Sequence, residues 1–251
     1  MRCKISMDQK RISRFRGAGL VAALAVVSMA CSNDRDGGGG VEQVLAFNNT
    51  VLSIASAGDG SGDVYVGGDF TDYNGMDVIR VVRLNADGTV DQAFATGRGF
   101  TNTVRSIAPA GDRSGDLYVG GSFTTYNGTP ANDLVRLNAD GTVDQAFATG
   151  TGFNNTVHSI APAGDGSGDL YVGGSFTNYN GTLANDLVRL NVDGTVDQAF
   201  ATGTGFNNAV FSIAPAGDGS GDVYVGGQFT SYQVIKIGRL ARLKPNGSLA
   251  H

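Results

Sequence analysis

The chain has 251 residues, with 18 basic and 23 acidic side chains, a net charge of −5 and 39 glycines. Six of the basic side chains and one acidic side chain fall within residues 1–30, so the remainder carries a net charge of −10. Such an acidic surface repels phosphate groups, which excludes nucleic acid as an expected partner.

The N-terminal segment predicts export. A basic start is followed by an apolar run over residues 17–29, which is shorter than the ~20 residues of a membrane-spanning helix. This pattern is typical of a secretory signal peptide over residues 1–30. The run Val-Ser-Met-Ala-Cys-Ser, residues 27–32, resembles a bacterial lipoprotein signal. The resemblance implies lipidation of Cys31, with Ser32 pointing to the outer membrane. Ordinary cleavage near this point is the alternative.

Residues 31–40 are predicted to hold the anchoring cysteine and a Gly-rich tether. A flexible Gly-rich coil of nine residues spans roughly 17 Å on average. We therefore expect an exported protein whose folded part lies close to the membrane, attached through its N-terminal lipid.

Residues 41–251 are built from one sequence unit repeated every 53 residues. The repeats cover residues 47–99, 100–152, 153–205 and 206–251, and each begins with a phenylalanine. The second and third copies differ at six positions, among them Arg105 against His158. Self-similarity at a fixed period predicts a repeat architecture in which one structural unit is stacked on the next.

Within a repeat the pattern is that of β-strands. In the third copy four runs rich in Val, Ile, Tyr, Phe and Thr are separated by Gly, Asn, Asp and Pro, at residues 156–161, 169–176, 186–191 and 195–200. The Asp193-Gly194 pair predicts a hairpin between the last two. No stretch of the repeat has apolar residues at the spacing of an amphipathic helix. Four antiparallel strands per repeat therefore predict an all-β, four-bladed β-propeller.

Three motifs of the repeat resemble a known family. The motifs recur at fixed spacing and read Val-Gly-Gly-x-Phe-Thr-x-Tyr-Asn-Gly, Arg-Leu-Asn-x-Asp-Gly-Thr-Val-Asp-Gln-x-Phe and Thr-Gly-x-Gly-Phe. In the third copy they occupy residues 172–181, 189–200 and 202–206. Together they resemble the delta-60 repeat, found in bacterial surface and secreted proteins. The resemblance implies a β-propeller and supplies no catalytic residues.

The two ends of the repeat region indicate how the propeller closes. The fourth copy lacks most of its last strand, whereas Val41–Ala46, before the first copy, resembles that strand as it stands in Val90–Ala95. We expect residues 41–46 to join the last blade and to close a monomeric ring without open sheet edges. The alternatives are pairing of residues 41–46 with the first blade, and an open half-ring that a second chain completes to eight blades.

Each repeat carries an Asp-x-Ser-x-Asp turn. Oxygen side chains at alternate positions of a Gly-rich turn are typical of the start of an EF-hand calcium loop. The candidate metal ligands are Asp59, Ser61, Asp63, Asp112, Ser114, Asp116, Asp165, Ser167, Asp169, Asp218, Ser220 and Asp222. Where an EF-hand loop ends in glutamate the chain has Phe70, Phe123, Phe176 and Phe229. Calcium is thus a candidate ligand but no cofactor is required; the alternative is a hairpin turn with local hydrogen bonds.

Two further polar positions recur. Arginines in the third strand are expected to pair with aspartates of the next strand, namely Arg83, Arg136, Arg189 and Arg242 with Asp91, Asp144, Asp197 and, for the last, Glu42. Tyrosines after the second strand are candidate ligand-binding residues because their rings could stack on sugars or hold a peptide: Tyr73, Tyr126, Tyr179 and Tyr232. Packing beneath the loop is the alternative for these tyrosines.

The sequence carries no recognised catalytic motif. It predicts a non-enzymatic cell-envelope lipoprotein whose propeller is a binding or assembly scaffold for an unknown protein or glycan. A multivalent glycan-binding or calcium-dependent adhesive protein is the first alternative, and a hydrolase is the second.

Overall fold

A computed structural model describes residues 3–5, 29–31, 46–94 and 97–250. Two short strands, β1 (Cys3–Ile5) and β2 (Met29–Cys31), pair antiparallel. All regular secondary structure in the described ranges is β-strand. Accordingly, these ranges contain no helix of the length and apolar character needed to cross a membrane. Most of the predicted signal peptide and tether lies outside the described residues.

Each repeat folds into a three-stranded antiparallel sheet and a two-stranded hairpin. The first blade contains β3 (Val51–Ser56), β4 (Val64–Gly68), β5 (Asp72–Tyr73), β6 (Met76–Asp77) and β7 (Val81–Leu84). The second contains β8 (Val104–Pro109), β9 (Leu117–Gly121), β10 (Thr125–Tyr126), β11 (Thr129–Pro130) and β12 (Leu134–Leu137). The third contains β13 (Val157–Pro162), β14 (Leu170–Gly174), β15 (Asn178–Tyr179), β16 (Thr182–Leu183) and β17 (Leu187–Leu190). The fourth contains β18 (Val210–Pro215), β19 (Val223–Gly227), β20 (Ser231–Tyr232), β21 (Ile235–Lys236) and β22 (Leu240–Leu243).

In every blade the second strand lies between the first and the third, as in β3-β4-β7. The predicted all-β fold with four propeller blades is confirmed. The short hairpin of the first blade turns through Asn74 and Gly75, whose φ angles of 52° and 83° lie in the left-handed region. Asn and Gly adopt that region more readily than other residues, which explains why the hairpin forms there.

The predicted fourth strand is much shorter than expected. In the third blade residues 195–200 contribute a single bridge, between Val196 and Leu190. The chain then turns because Asp197 Oδ1 accepts a hydrogen bond from Ala199 N at 2.8 Å. An Asp side chain that bonds to the backbone two residues ahead favours a turn over an extended strand.

Consecutive blades pack through their first strands and through a glycine of the second strand. The first strands β3, β8, β13 and β18 lie side by side in that order, so they form the inner side of the propeller, where its blades converge. A Cβ atom on Gly67 would lie 2.5 Å from Val104 Cγ1 and 2.8 Å from Ile107 Cδ1 of the next blade. Gly120 and Gly173 are approached in the same way. The glycine therefore allows the next blade to pack closely against the sheet.

Three hydrophobic clusters lie across the boundaries between blades, and a fourth lies within the first blade. Tyr65 and Phe94 of the first blade, whose ring centroids are 5.3 Å apart, belong to the same buried cluster as Phe123 of the second. Equivalent clusters join the second blade to the third and the third to the fourth. Each blade is therefore stabilised mainly by its neighbours, as expected for a repeat protein.

The two terminal blades present the two halves of this contact to solvent. Ile54 of the first blade is 57% exposed, whereas the equivalent Ile107 is 6% exposed. Leu240 of the fourth blade is 65% exposed, whereas the equivalent Leu187 is fully buried. Among the described residues no comparable packing joins β3 to β18 or β19. We call the surface around Val51 and Ile54 the leading face, and the surface around Tyr224, Gly226 and Leu240 the trailing face.

The predicted closing strand falls almost entirely outside the described residues. Only Ala46 is described, and its backbone N donates to Asn74 Oδ1 of the first blade at 3.0 Å. Leu249 pairs with Leu243 in the fourth blade, as Val90 pairs with Leu84 in the first. The fourth repeat therefore supplies this bridge from its own C-terminal residues, as the other three repeats do.

Candidate functional site

The Asp-x-Ser-x-Asp turns satisfy their own hydrogen bonds. In the first blade Asp59 Oδ1 accepts from Ser61 N at 2.9 Å and from Ser61 Oγ at 2.6 Å. Ser61 Oγ in turn accepts from Asp63 N at 3.1 Å. The two backbone bonds recur in the turns of the other three blades. These bonds are those of the hairpin-turn interpretation.

The carboxylates of the turn also bind the arginine of the third strand. Arg83 Nη2 lies 2.7 Å from Asp59 Oδ2 and 2.8 Å from Asp63 Oδ2, and Arg83 Nε lies 3.2 Å from Asp91 Oδ2. The predicted pairs with the following aspartate are confirmed in three blades: Arg83–Asp91, Arg136–Asp144 and Arg189–Asp197. The pairs with the turn aspartates were not expected from the sequence.

In the fourth blade Arg242 lies 2.7 Å from both Asp218 and Asp222. Its predicted partner, Glu42, lies outside the described residues. Arg242 is also more exposed than its counterparts, with 33% of the side chain accessible against 7% for Arg189.

These contacts keep the network charged. The hydrogen bonds from Ser61, reinforced by Arg83, lower the pKa of Asp59 to about 2. Burial opposes the charge on Arg83, yet the bonds to Asp63 and Asp59 outweigh it and raise the pKa of Arg83. The Arg83 guanidinium also lies 5.5 Å from the ring centre of Tyr65. The network therefore joins the turn, two strands and the interblade core of each blade.

The predicted calcium ligands are thus turned toward a guanidinium. A positive charge within hydrogen-bond distance of two carboxylates opposes the binding of a cation to the same oxygens. Across the described ranges no group of three or more His, Cys, Asp or Glu side chains has an arrangement suited to a metal ion. Calcium binding by these turns stays a prediction from sequence.

The loop tyrosines are not available to a ligand, and the sequence-based assignment of a binding role is corrected here. Tyr73, Tyr126, Tyr179 and Tyr232 are at most 1% exposed. The hydroxyl group of Tyr126 donates to the carbonyl oxygen of Gly141 at 2.7 Å, and burial raises its pKa. The equivalent bonds form in the other three blades. These rings pack beneath the loops, and their hydroxyl groups stabilise the turn after the third strand.

A different set of side chains is brought together on the inner side of the propeller. Each first strand contains a β-bulge, in which one extra residue stands opposite the second strand. The extra residues are Leu52, Arg105, His158 and Phe211, which we call the bulge row. Bulges re-aim a side chain and are frequent beside binding and active sites.

The bulge row combines apolar and basic groups. Leu52 and Phe211 are 43% and 45% exposed, Arg105 is exposed and His158 is half-buried. The rings of His158 and Phe211 lie 5.0 Å apart in an edge-on arrangement. Burial, with a contribution from the charge of Arg105, lowers the pKa of His158. At neutral pH the row therefore carries one positive charge between apolar neighbours.

The bulge row could have been found from the sequence. It is the only position in the three-stranded sheets at which all four copies carry different side chains. In repeats this similar, such a difference marks a place where packing does not dictate the residue. The difference between Arg105 and His158 marks this position already in the two most similar copies, but it does not predict the bulge.

Two carboxyl groups lie near the blade boundaries, of which Asp186 is buried and Asp133 is half-buried. Burial raises the pKa of Asp133 to about 7 and that of Asp186 to about 6. The equivalent position of the first blade holds Arg80, whose Nη1 donates to the carbonyl oxygen of Phe100 in the second blade at 2.7 Å. These positions therefore lie at the contact between blades.

Comparison with known proteins identifies one family. The profile described as "Domain of unknown function (DUF5122) beta-propeller" matches residues 60–94, 114–147, 166–200 and 219–249, together more than half of the chain. Each match covers the second and third strands of one blade. No curated protein matches the chain.

Solved structures that match the chain include a β-propeller domain and an enzyme. The WD40 β-propeller domain of Doa1 is 10% identical, with 82% of this chain and 83% of that chain covered and a TM-score of 0.37. A GH74 enzyme of Niastella koreensis is 16% identical, with 83% of this chain and 38% of that chain covered and a TM-score of 0.42. Likeness at this level supports no argument about activity.

Proposed function

The chain belongs to the DUF5122 β-propeller family, and we propose that it is a non-enzymatic, lipid-anchored cell-envelope protein that binds a partner through the bulge row. A β-propeller supports a binding or scaffold role in general. The finer assignment is based on the bulge row itself, where the four copies present four different side chains.

The chemistry of the row favours an anionic partner. Arg105 supplies an exposed guanidinium that can pair with a carboxylate in two parallel hydrogen bonds. Leu52 and Phe211 supply apolar surface on either side, and Phe211 adds an aromatic face. We therefore propose that the partner is a protein segment that carries apolar side chains and a carboxylate that pairs with Arg105.

Several contacts support a role without catalysis. The aspartates of the turns accept hydrogen bonds from serine and arginine in near-identical arrangements, whereas catalysis usually needs groups of different pKa in different roles. In this proposal the repeated polar groups stabilise the blades and the bulge row provides the specificity.

The proposed membrane anchor is tested by Cys31→Ser in the full chain. Loss of the lipidation site should move the protein from the membrane fraction to the soluble fraction or stall its processing. Wild-type protein that is soluble and carries no lipid on its mature N-terminus would contradict the anchor.

The proposed binding surface is tested by photo-crosslinking in cells. A photoreactive residue at Arg105 should give a discrete cross-linked product with one envelope protein. The same residue at Arg98, an exposed arginine of the loop before the second blade, serves as the matched control and should not. The additional change Phe211→Ala should weaken the Arg105 product, because it removes apolar surface from the row. Identical products from both positions, or no product at Arg105, would contradict the proposal.

A further inference from the structure

We infer that two copies of this chain associate through their leading and trailing faces and form a closed ring of eight blades. The inference goes beyond the proposed function and does not depend on it. It rests on the two exposed faces, which are the two halves of a contact that the chain already makes three times between its own blades.

The apolar parts of the two faces match. In the first three blades the second-strand glycine is approached by a valine and an isoleucine of the next blade. At the equivalent Gly226 the nearest atom in the surroundings is the carbonyl oxygen of Arg239, 3.9 Å from a Cβ built there. The side chains that would fill this place, Val51 and Ile54, are accessible on the leading face.

The polar parts match as well. Between blades Ser53 Oγ accepts from Ile107 N at 2.9 Å, and the equivalent bonds join the next two pairs of blades. Ser212 is exposed on the fourth blade and stands at the same position as Ser53. Arg239 stands at the position of Arg80, which donates a hydrogen bond to the following blade. In the pair Arg239 would donate the equivalent hydrogen bond to the carbonyl oxygen of Phe47 in the second copy. A second copy thus finds both apolar and polar partners in place.

The geometry favours a second copy over closure within one chain. In the described residues the first and fourth blades are not packed together, so the four blades form an open arc. Propellers typically contain four to eight blades, and eight is the next multiple of four. Two head-to-tail contacts of the same kind then close a ring with twofold symmetry, which leaves no unpaired face.

The test is native mass spectrometry of the full chain released from detergent, with two variants and a control. Wild type should have twice the mass of one chain. Gly226→Val should give single chains, because its side chain occupies the place of Val51 and Ile54 of the partner. Its melting temperature should stay close to that of the dissociated wild type, since the site is open in the single chain. Ile54→Glu should also give single chains. Ile235→Glu, which is 49% exposed on a hairpin outside both faces, should remain a pair.

Mixing the two disrupted variants provides a further check. Ile54→Glu retains an intact trailing face and Gly226→Val retains an intact leading face, so the mixture should form mixed pairs held by one contact. A single-chain mass for wild type at micromolar concentration would overturn the inference. So would assemblies that grow beyond two copies, or a two-copy mass that neither variant reduces.

Discussion

At the residue scale, the third-strand arginines neutralise the carboxylates of the acidic turns. Arg189 is 7% exposed and lies among Asp165, Asp169 and Asp197. Removal of a buried cation leaves carboxylates that repel one another and lack a partner. The network therefore allows a chain with many aspartates to pack closely around its tyrosines.

Arg189→Met should lower the free energy of unfolding by about 3 kcal/mol, the cost typical of breaking a buried ion pair. Arg242→Met is the matched control, and in the dissociated single chain it should cost clearly less because solvent already screens the fourth-blade network there. Urea unfolding of both variants measures the difference. Equal losses would show that burial of the network does not determine its contribution.

The buried carboxyl groups predict a pH dependence. The pKa of Asp133 is raised to about 7, so between pH 4 and 7 the unfolded chain releases a proton that the folded chain keeps. The free energy of unfolding should fall as the pH rises through this window. The turn aspartates have the opposite effect on stability, and at lower pH. The pKa of Asp59 is lowered to about 2, so its contribution to stability is lost as the pH falls from 4 to 2.

Asp133→Asn should therefore make stability less dependent on pH between 4 and 7. The control Asp77→Asn lies on an exposed hairpin and should leave the dependence unchanged. Melting temperatures at half-unit pH intervals provide the comparison. An unchanged slope in Asp133→Asn would contradict burial of a protonated carboxyl at this position.

At the element scale, the three main strands of the blade were predictable and the finer features were not. Apolar alternation placed the three main strands of the third repeat within one or two residues of their observed bounds. The two-residue hairpin is too short to show a period, and the bulge at His158 follows from sheet geometry rather than from residue type. The predicted fourth strand failed because Asp197 bonds to its own backbone. Similar side-chain bonds to the backbone hold the Asp-x-Ser-x-Asp turns.

The second-strand glycine carries a prediction of its own. A Cβ atom at Gly120 would lie 2.5 Å from Val157 Cγ1 and 2.7 Å from Ile160 Cδ1. Gly120→Ala should therefore separate the second and third blades and cost ~1–3 kcal/mol, as overpacking of a core does. In the dissociated chain Gly226→Ala should cost little, since that position is open. A comparable loss in both single-chain forms would contradict the packing described for the blade boundary.

At the scale of the whole molecule, stability comes from the contacts between blades rather than from one central core. Repeat proteins of this kind need terminal units with a polar outer surface to stay soluble. Here the terminal surfaces carry Ile54 and Leu240 instead, and exposed apolar faces of this sort mark sites of association. Closure by residues 41–46 stays a prediction from the sequence, and a second copy is the partner whose surface matches both faces.

The most direct measurement is an electron cryomicroscopy structure of the full chain. We expect a ring of eight blades from two copies, with Gly226 of each packed against Val51 and Ile54 of the other and both bulge rows facing one channel. A four-bladed ring closed within one chain, or a single arc with both terminal faces in solvent, would contradict it.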